Sequence, residues 1–325
     1  MQGIPLFLAN KRSIVIKFDN MKRLMNKLLW IFSLVIVTTV SAQQPITTSV
    51  IPLNRNSDHP KLIVRADDMG SSHSANVAIR RSYKEGIVSS VEVMAVTPWF
   101  PEAVKFLEKD KDIDVGLHLT ITSEWDNVKW KPLTFWHSLV DSNGYFYPMK
   151  SVNVNYPKQS LEEAEIDIQE LEFELRAQIE FAIRRIPRIS HLTDHMGFTQ
   201  LNEQWLSVVL KLATEYNLPF ELNNHKHINL EYGGPSTSYR EKKASFIKML
   251  NTLESGNTYL FIDHPGIDNS ELQAIHHKGY ENVATDRQGV TDLFTSNKVK
   301  RTIKKRNIEI INYKVLVEED RRLKF

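Results

Sequence analysis

The 325-residue sequence predicts an α/β protein: a TIM-like (β/α) barrel of seven strands in a single domain. Three observations carry that expectation. Short, near-continuous apolar runs alternate with helical patterns, which is how parallel strands covered on both faces read. Seven such units can be counted, one short of the eight in a full TIM barrel. The composition is 42% hydrophobic and 25% charged, which excludes collagen-like, low-complexity and wholly disordered chains. Periodicity alone leaves an open sheet as the alternative.

Taken in order, the chain begins with a segment set apart from the fold. From Met21, the basic residues Lys22, Arg23 and Lys27 precede an apolar run from Leu28 to Val40 and the small residues Ser41 and Ala42. That layout is a secretory signal peptide, with an apolar run short for a spanning helix. Residues 1–42 are therefore expected to be removed, and Met21 is the expected true start. The protein should be exported, periplasmic or secreted, without stable membrane insertion. Residues 1–42 hold six Lys/Arg and one Asp, so the remainder carries 35 basic and 38 acidic side chains. A net of −3 gives no reason to expect a nucleic-acid partner. The basic run Lys298–Arg306 reads as a solvated helix face.

Residues 43–60 form a polar linker, and the domain spans 61–325. Strands are predicted at Lys61–Asp67, Val88–Val96, Ile113–Leu119, Ile189–Asp194, Leu218–Leu222, Tyr259–Asp263 and Ile308–Tyr313. Helices are predicted at Ser74–Glu85, Pro101–Lys109, Ser160–Ile186, Asn202–Tyr216, Arg240–Glu254 and Ser270–Lys278, and near 290–305. Ser160 with Glu163 suggests a capping box for the third, and Pro187 ends it. Gly86 sits where a helix C-cap is wanted. The stretch 120–159 lacks periodicity and is rich in aromatics, among them Trp125, Trp130, Phe135, Trp136, Phe146 and Tyr156. Such an insertion either stacks on sugar rings or folds as a small core of its own.

The chemistry gathers at the strand ends. The first strand closes in Asp67-Asp68-Met69-Gly70, the third in Gly116-Leu117-His118-Leu119, the fourth in His191-Leu192-Thr193-Asp194-His195 and the sixth in Asp263-His264-Pro265-Gly266. Adjacent carboxylates at an apolar strand end are costly unless paired or metal-bound. In α/β barrels the carboxyl ends of the strands form the active site. One carboxylate and two imidazoles from three strands leave positions open for water and substrate on a divalent ion. His225, His227, His276 and His277 read as surface features. With no cysteine in the chain, thiolate ligands, thiol nucleophiles and disulfides are excluded.

These segments, with Gly86-Ile87-Val88-Ser89-Ser90 and the weaker match around Glu174–Glu180 and Arg287, resemble the YdjC/ChbG family of carbohydrate deacetylases over residues 61 to 313. The resemblance implies a barrel-like deacetylase domain and a metal-dependent hydrolase that removes acetyl groups from N-acetylated sugars or oligosaccharides. It implies metal binding by Asp68, His118 and His195, with Asp67 as general base and His264 as general acid. The ion would be a single divalent metal, Mg or Zn, with Co and Mn also compatible, and a homodimer is implied as well. One position departs from the family pattern: Thr193 stands where His-x-Asp-x-His has its Asp. That departure puts metal affinity in question. The competing functions are a metal-dependent amidase or phosphoesterase on another small substrate, and a catalytically weakened carbohydrate-binding homologue.

Overall fold

Lys61–Met69 (β1) is the centre of the fold, and each residue of it after Lys61 is buried. It is the longest strand, and Leu62, Ile63 and Val64 supply the β-favouring run that lets it sit between neighbours on both sides. The computed structural model describes residues 59–317 apart from 136, 223 and 224. The expected signal peptide, all but the last two residues of the expected linker and Trp136 lie outside the described residues.

Among the described residues seven strands form one sheet: β1, Ser90–Val93 (β2), Asp114–Leu119 (β3), His191–Asp194 (β4), Ile228–Leu230 (β5), Thr258–Asp263 (β6) and Glu309–Ile310 (β7). All pairings are parallel and the order is β4-β3-β2-β1-β6-β5, with β7 beside the start of β1. Helices lie between the strands at His73–Lys84 (α1), Phe100–Lys109 (α2), Ile168–Arg185 (α3), Glu203–Glu215 (α4), Tyr239–Leu250 (α5), Ser270–Gln273 (α6), Val283–Phe294 (α7) and Asn297–Lys305 (α8). Period-two alternation along β1 sends Leu62, Val64 and Ala66 into the large helix-covered core. Ile63 goes the other way, into a small inner cluster with Leu222, Leu260 and Tyr313.

A closed seven-strand barrel is not what forms. The sheet is an open, curled half-barrel, because β4 and β5 at its two ends are not joined to each other. The predicted fifth strand, Leu218–Leu222, meets β4 only through a bridge between Leu192 and Phe220. Glu221 then takes a φ of 49°, a left-handed conformation that ends extended backbone, and the fifth strand is laid down later, at Ile228–Leu230.

Two helix boundaries also differ from expectation. Ser160 Oγ donates to Glu163, but the pair closes a turn; α3 starts at Ile168, where the Asp167 carboxylate accepts from the amides of Gln169 and Glu170. Gly86 is not a left-handed cap. Its missing side chain admits close packing, since a Cβ there would overlap the carbonyls of Ser82 and Phe294. The basic run on α8 is a solvated face as expected, with Val299 and Ile303 alone turned inward. The aromatic insertion does not form a small core of its own: Trp125, Trp130 and Phe146 join the main helix-side core and Tyr156 is buried, while Phe135 is exposed. No helix among the described residues is long and apolar enough to cross a membrane.

Candidate metal centre

In a regular strand Asp67 and Asp68 would point to opposite faces. The register of β1 against β2 slips between Ala66 and Met69, and Asp68 adopts a φ of 69°. That bulge re-aims the second carboxylate so that both reach the C-terminal mouth of the sheet. Asp is among the residues that tolerate the left-handed region best. Gly70 follows with a φ of 103°, in a turn where a Cβ would stand 2.8 Å from Thr97 Oγ1. His118 comes from β3, flanked by Leu117 and Leu119 in the helix-side core. His195 follows β4 directly, where Met196 and Gly197, both left-handed, turn the chain sharply away.

The donor atoms of Asp68, His118 and His195 lie within 4.8 Å of one another, and all three residues are buried. His195 Nδ1 is 3.4 Å and His118 Nε2 3.9 Å from Asp68 Oδ1. Oδ2 accepts from Arg287 Nη2 at 3.0 Å, whereas the buried Oδ1 has no hydrogen-bond partner. An orphaned carboxylate oxygen facing two imidazole nitrogens is the donor set of a divalent cation, and ligands on such an ion stand roughly 3–4 Å apart. The residues fit a metal.

Electrostatics agree with that fit. Burial would raise the Asp68 carboxyl, yet His264, Arg287 and His195 hold it well below the usual carboxylate range. Burial lowers His118 and keeps it neutral, as a ligand must be. His195 is pushed up to about 10 against its burial, by Glu124 at 3.2 Å from Nε2 and by Asp68. A cation held by His195 would have to displace a proton from the ring, at Nδ1, the nitrogen beside Asp68.

Asp67 sits beside the triad, clamped by Arg65, whose Nε and Nη2 reach its two oxygens at 2.8 and 2.9 Å. Its Oδ2 is 3.7 Å from His118 Nε2. His264 is half-buried, with Nε2 at 4.0 Å from Asp68 Oδ2 and Nδ1 at 3.8 Å from Asp263 Oδ1. Burial lowers His264, but Asp68 and Asp263 outweigh it and raise the ring above its ordinary value. All five residues singled out in the sequence thus meet at one place. Thr193 lies against His118, not His195, and Asp194 faces elsewhere, accepting from the amide and hydroxyl of Thr199.

Sequence reasoning missed Arg65, Glu92 and Glu124. Charged residues within apolar strands, Arg65 on β1 and Glu92 on β2, are a usable signal, since burying them demands partners. Glu124 in the irregular insertion offers none. A cleft of about 600 Å³ opens beside the centre, lined among others by Asp67, His118, His264, Asp194, Glu221 and His227. His227 therefore belongs to the cleft and not to the outer surface. His277 is structural, stacked on Trp125 at 5.6 Å.

The chain is similar in sequence and in fold to known proteins. A family model described as YdjC-like protein matches residues 61–305. A carbohydrate deacetylase of Thermoanaerobacter pseudethanolicus is 28% identical over 271 residues, covering 78% of this chain and 98% of the relative. One of Enterococcus faecalis is 27% identical over 275 residues, covering 79% and 98%. A crystal structure from Enterococcus faecalis V583, provisionally described as a cellobiose-phosphate cleavage protein, superposes with a TM-score of 0.65 at 25% identity, covering 79% of this chain and 99% of that one.

Proposed function

Since the chain belongs to the YdjC-like family, we propose that it is a carbohydrate deacetylase, a metal-dependent hydrolase that removes acetyl groups from N-acetylated sugars or short oligosaccharides. The observation that carries the proposal is the meeting of Asp68, His118 and His195 donor atoms in one buried cluster. The relatives named carbohydrate deacetylase, matched over nearly their whole length, supply the substrate class.

A divalent ion held by Asp68, His118 and His195, Zn or Mg with Co and Mn also accepted, would polarise the acetamide carbonyl and acidify a water molecule. The remaining work falls to the protein. Asp67, its oxygens fixed by the Arg65 fork, takes the proton from the attacking water. His264, raised by its acidic neighbours and open to the cleft, gives a proton to the departing nitrogen as the C–N bond breaks. Acetate and a free amino sugar result, with no covalent enzyme intermediate. A phosphate ester suits the cleft less well, because Asp67, Asp194 and Glu221 line it and the Arg65 guanidinium is committed to two of them.

Acetate release from N-acetylglucosamine oligomers tests the proposal. The expected result is release by the natural chain, none after chelation, and recovery on adding metal. His118→Ala should lose both activity and metal content while its circular dichroism stays unchanged. A fully active His118→Ala chain refutes the ligand assignment. Export rests on residues 21–42, and N-terminal sequencing of the mature protein should find cleavage after Ala42. A homodimer rests on family likeness alone, and light scattering measures it.

A further inference from the structure

Thr193 stands on β4 with its hydroxyl 2.7 Å from Nδ1 of His118 and 2.9 Å from Oε2 of Glu92. Glu92 belongs to β2, and β3 runs between it and β4. The Glu92 side chain crosses β3 at Gly116, where an added Cβ would overlap its carboxylate. Its other oxygen, Oε1, meets Nε2 of His191 at 2.8 Å, and Nδ1 of His191 lies 2.8 Å from Ser190 Oγ. That hydroxyl donates in turn to Asp114 at 2.6 Å. Glu92, His191 and Thr193 are fully buried, away from bulk solvent.

Counting protons fixes the direction of each bond. A carboxylate only accepts, so the single hydroxyl proton of Thr193 goes to Glu92. The same hydroxyl must then accept from His118, whose Nδ1 therefore carries the ring proton. Nε2 is left with its lone pair, on the side where Asp67 and Asp68 lie at 3.7 and 3.9 Å. The far end of the chain follows the same rule: Ser190 spends its proton on Asp114, so His191 donates from both nitrogens.

We propose that Glu92 is a positioning residue for the candidate metal centre, acting through the Thr193 hydroxyl to hold His118 in the tautomer whose Nε2 is free to ligate. This rests on reading the site as a metal centre. It also accounts for Thr193 at a position where the family likeness leads one to expect Asp. Here the carboxylate is supplied from β2, one hydroxyl further out, through the window that Gly116 leaves in β3.

Two readouts test the inference without relying on turnover: affinity for Zn²⁺ or Co²⁺ alone, by chelator competition, and the ¹⁵N shifts of His118 in metal-free protein. Thr193→Val keeps the shape and removes the hydroxyl. It should weaken metal affinity about 10–100-fold and release the ring from its Nδ1–H tautomer. Thr193→Ser should bind as the natural chain does. If Thr193→Val does not fold, an exchange decides instead. Thr193→Asp alone sets two carboxylates against each other and should lose affinity; combined with Glu92→Thr it puts one carboxylate directly on His118 Nδ1 and should regain it. Unchanged affinity and tautomer in Thr193→Val, or an exchange variant that regains nothing, overturns the proposal. A natural chain that binds no divalent ion overturns the metal reading, while the tautomer measurement still reports on the Glu92–Thr193–His118 chain by itself.

Discussion

Along β1, Leu62, Val64 and Ala66 turn into the helix-covered core, while Arg65 and Asp67 turn into the hollow of the curled sheet. The first set belongs to the hydrophobic core and is held by burial, each full aliphatic side chain contributing roughly 1.5–3 kcal/mol. The second set is equally buried yet ionic, and each member is tolerated because a partner answers it: Arg65 pairs with Asp67 and Glu221, and Tyr313 completes its donor set. One strand thus separates what holds the molecule together from what does its chemistry. Substitution on the helix-side face should change stability and spare activity, whereas substitution of the ionic residues should change activity as well.

The largest expected effect lies at the strand's end, where the two carboxylates should part company. Asp67→Asn keeps the shape and the metal and removes the proton acceptor, so turnover should fall by about 10²–10⁴-fold with metal content unchanged. Asp68→Asn should lose both, because the orphaned oxygen is the one facing His118 and His195. Acetate release measured alongside metal content distinguishes them. If the two variants behave alike, the division of roles between neighbouring carboxylates is wrong.

On the opposite face, Leu62→Ala should cost about 2–5 kcal/mol of stability, as cavity-forming changes in packed cores do. Acetate release per folded molecule should stay at the natural level, because the side chain lies in the helix-side core. Denaturant midpoints and activity at saturating substrate check the pair of claims. A large loss of turnover in fully folded protein would mean that the two faces are coupled.

This division is also why some of the molecule could be read from sequence and some could not. Apolar periodicity marks the helix-side face, and six of the seven predicted strands fall where strands form. The carboxyl ends carrying Asp67, Asp68, His118, His195 and His264 were visible for the same reason: polar residues break an apolar run. What stayed hidden depends on backbone geometry or on distant partners. Nothing local announces that Glu221 will turn left-handed and end the fifth strand, or that Asp68 will swing round in a bulge. Glu124 joins His195 from an irregular insertion, and Glu92 reaches β4 only because β3 has glycine at the crossing.

The buried ionic face has a cost that pH can expose, and the Glu92–His191 pair gives the smallest and sharpest test. Burial would raise Glu92, but His191 and Arg65 bring it down to about 2, from an ordinary 4.5. Its folded value lies below the unfolded one, so the stability it contributes is complete above about pH 4.5 and drains away as pH falls toward 2. His191 has the opposite sign. Burial lowers it, Glu92 and Asp114 outweigh that, and its contribution is complete below pH 6.5 and lost as pH rises through the raised folded value. Glu92→Gln removes the charge that shifts both groups. Other carboxylates such as Asp68 titrate in both chains, so the difference between the two isolates this pair. Denaturant midpoints taken from pH 2 to 8 should therefore fall less steeply in Glu92→Gln than in the natural chain on the acid side. They should also lose the alkaline decline that His191 causes. Parallel curves for the two chains would mean that the pair, though buried and well aligned, contributes nothing to folding beyond its own desolvation.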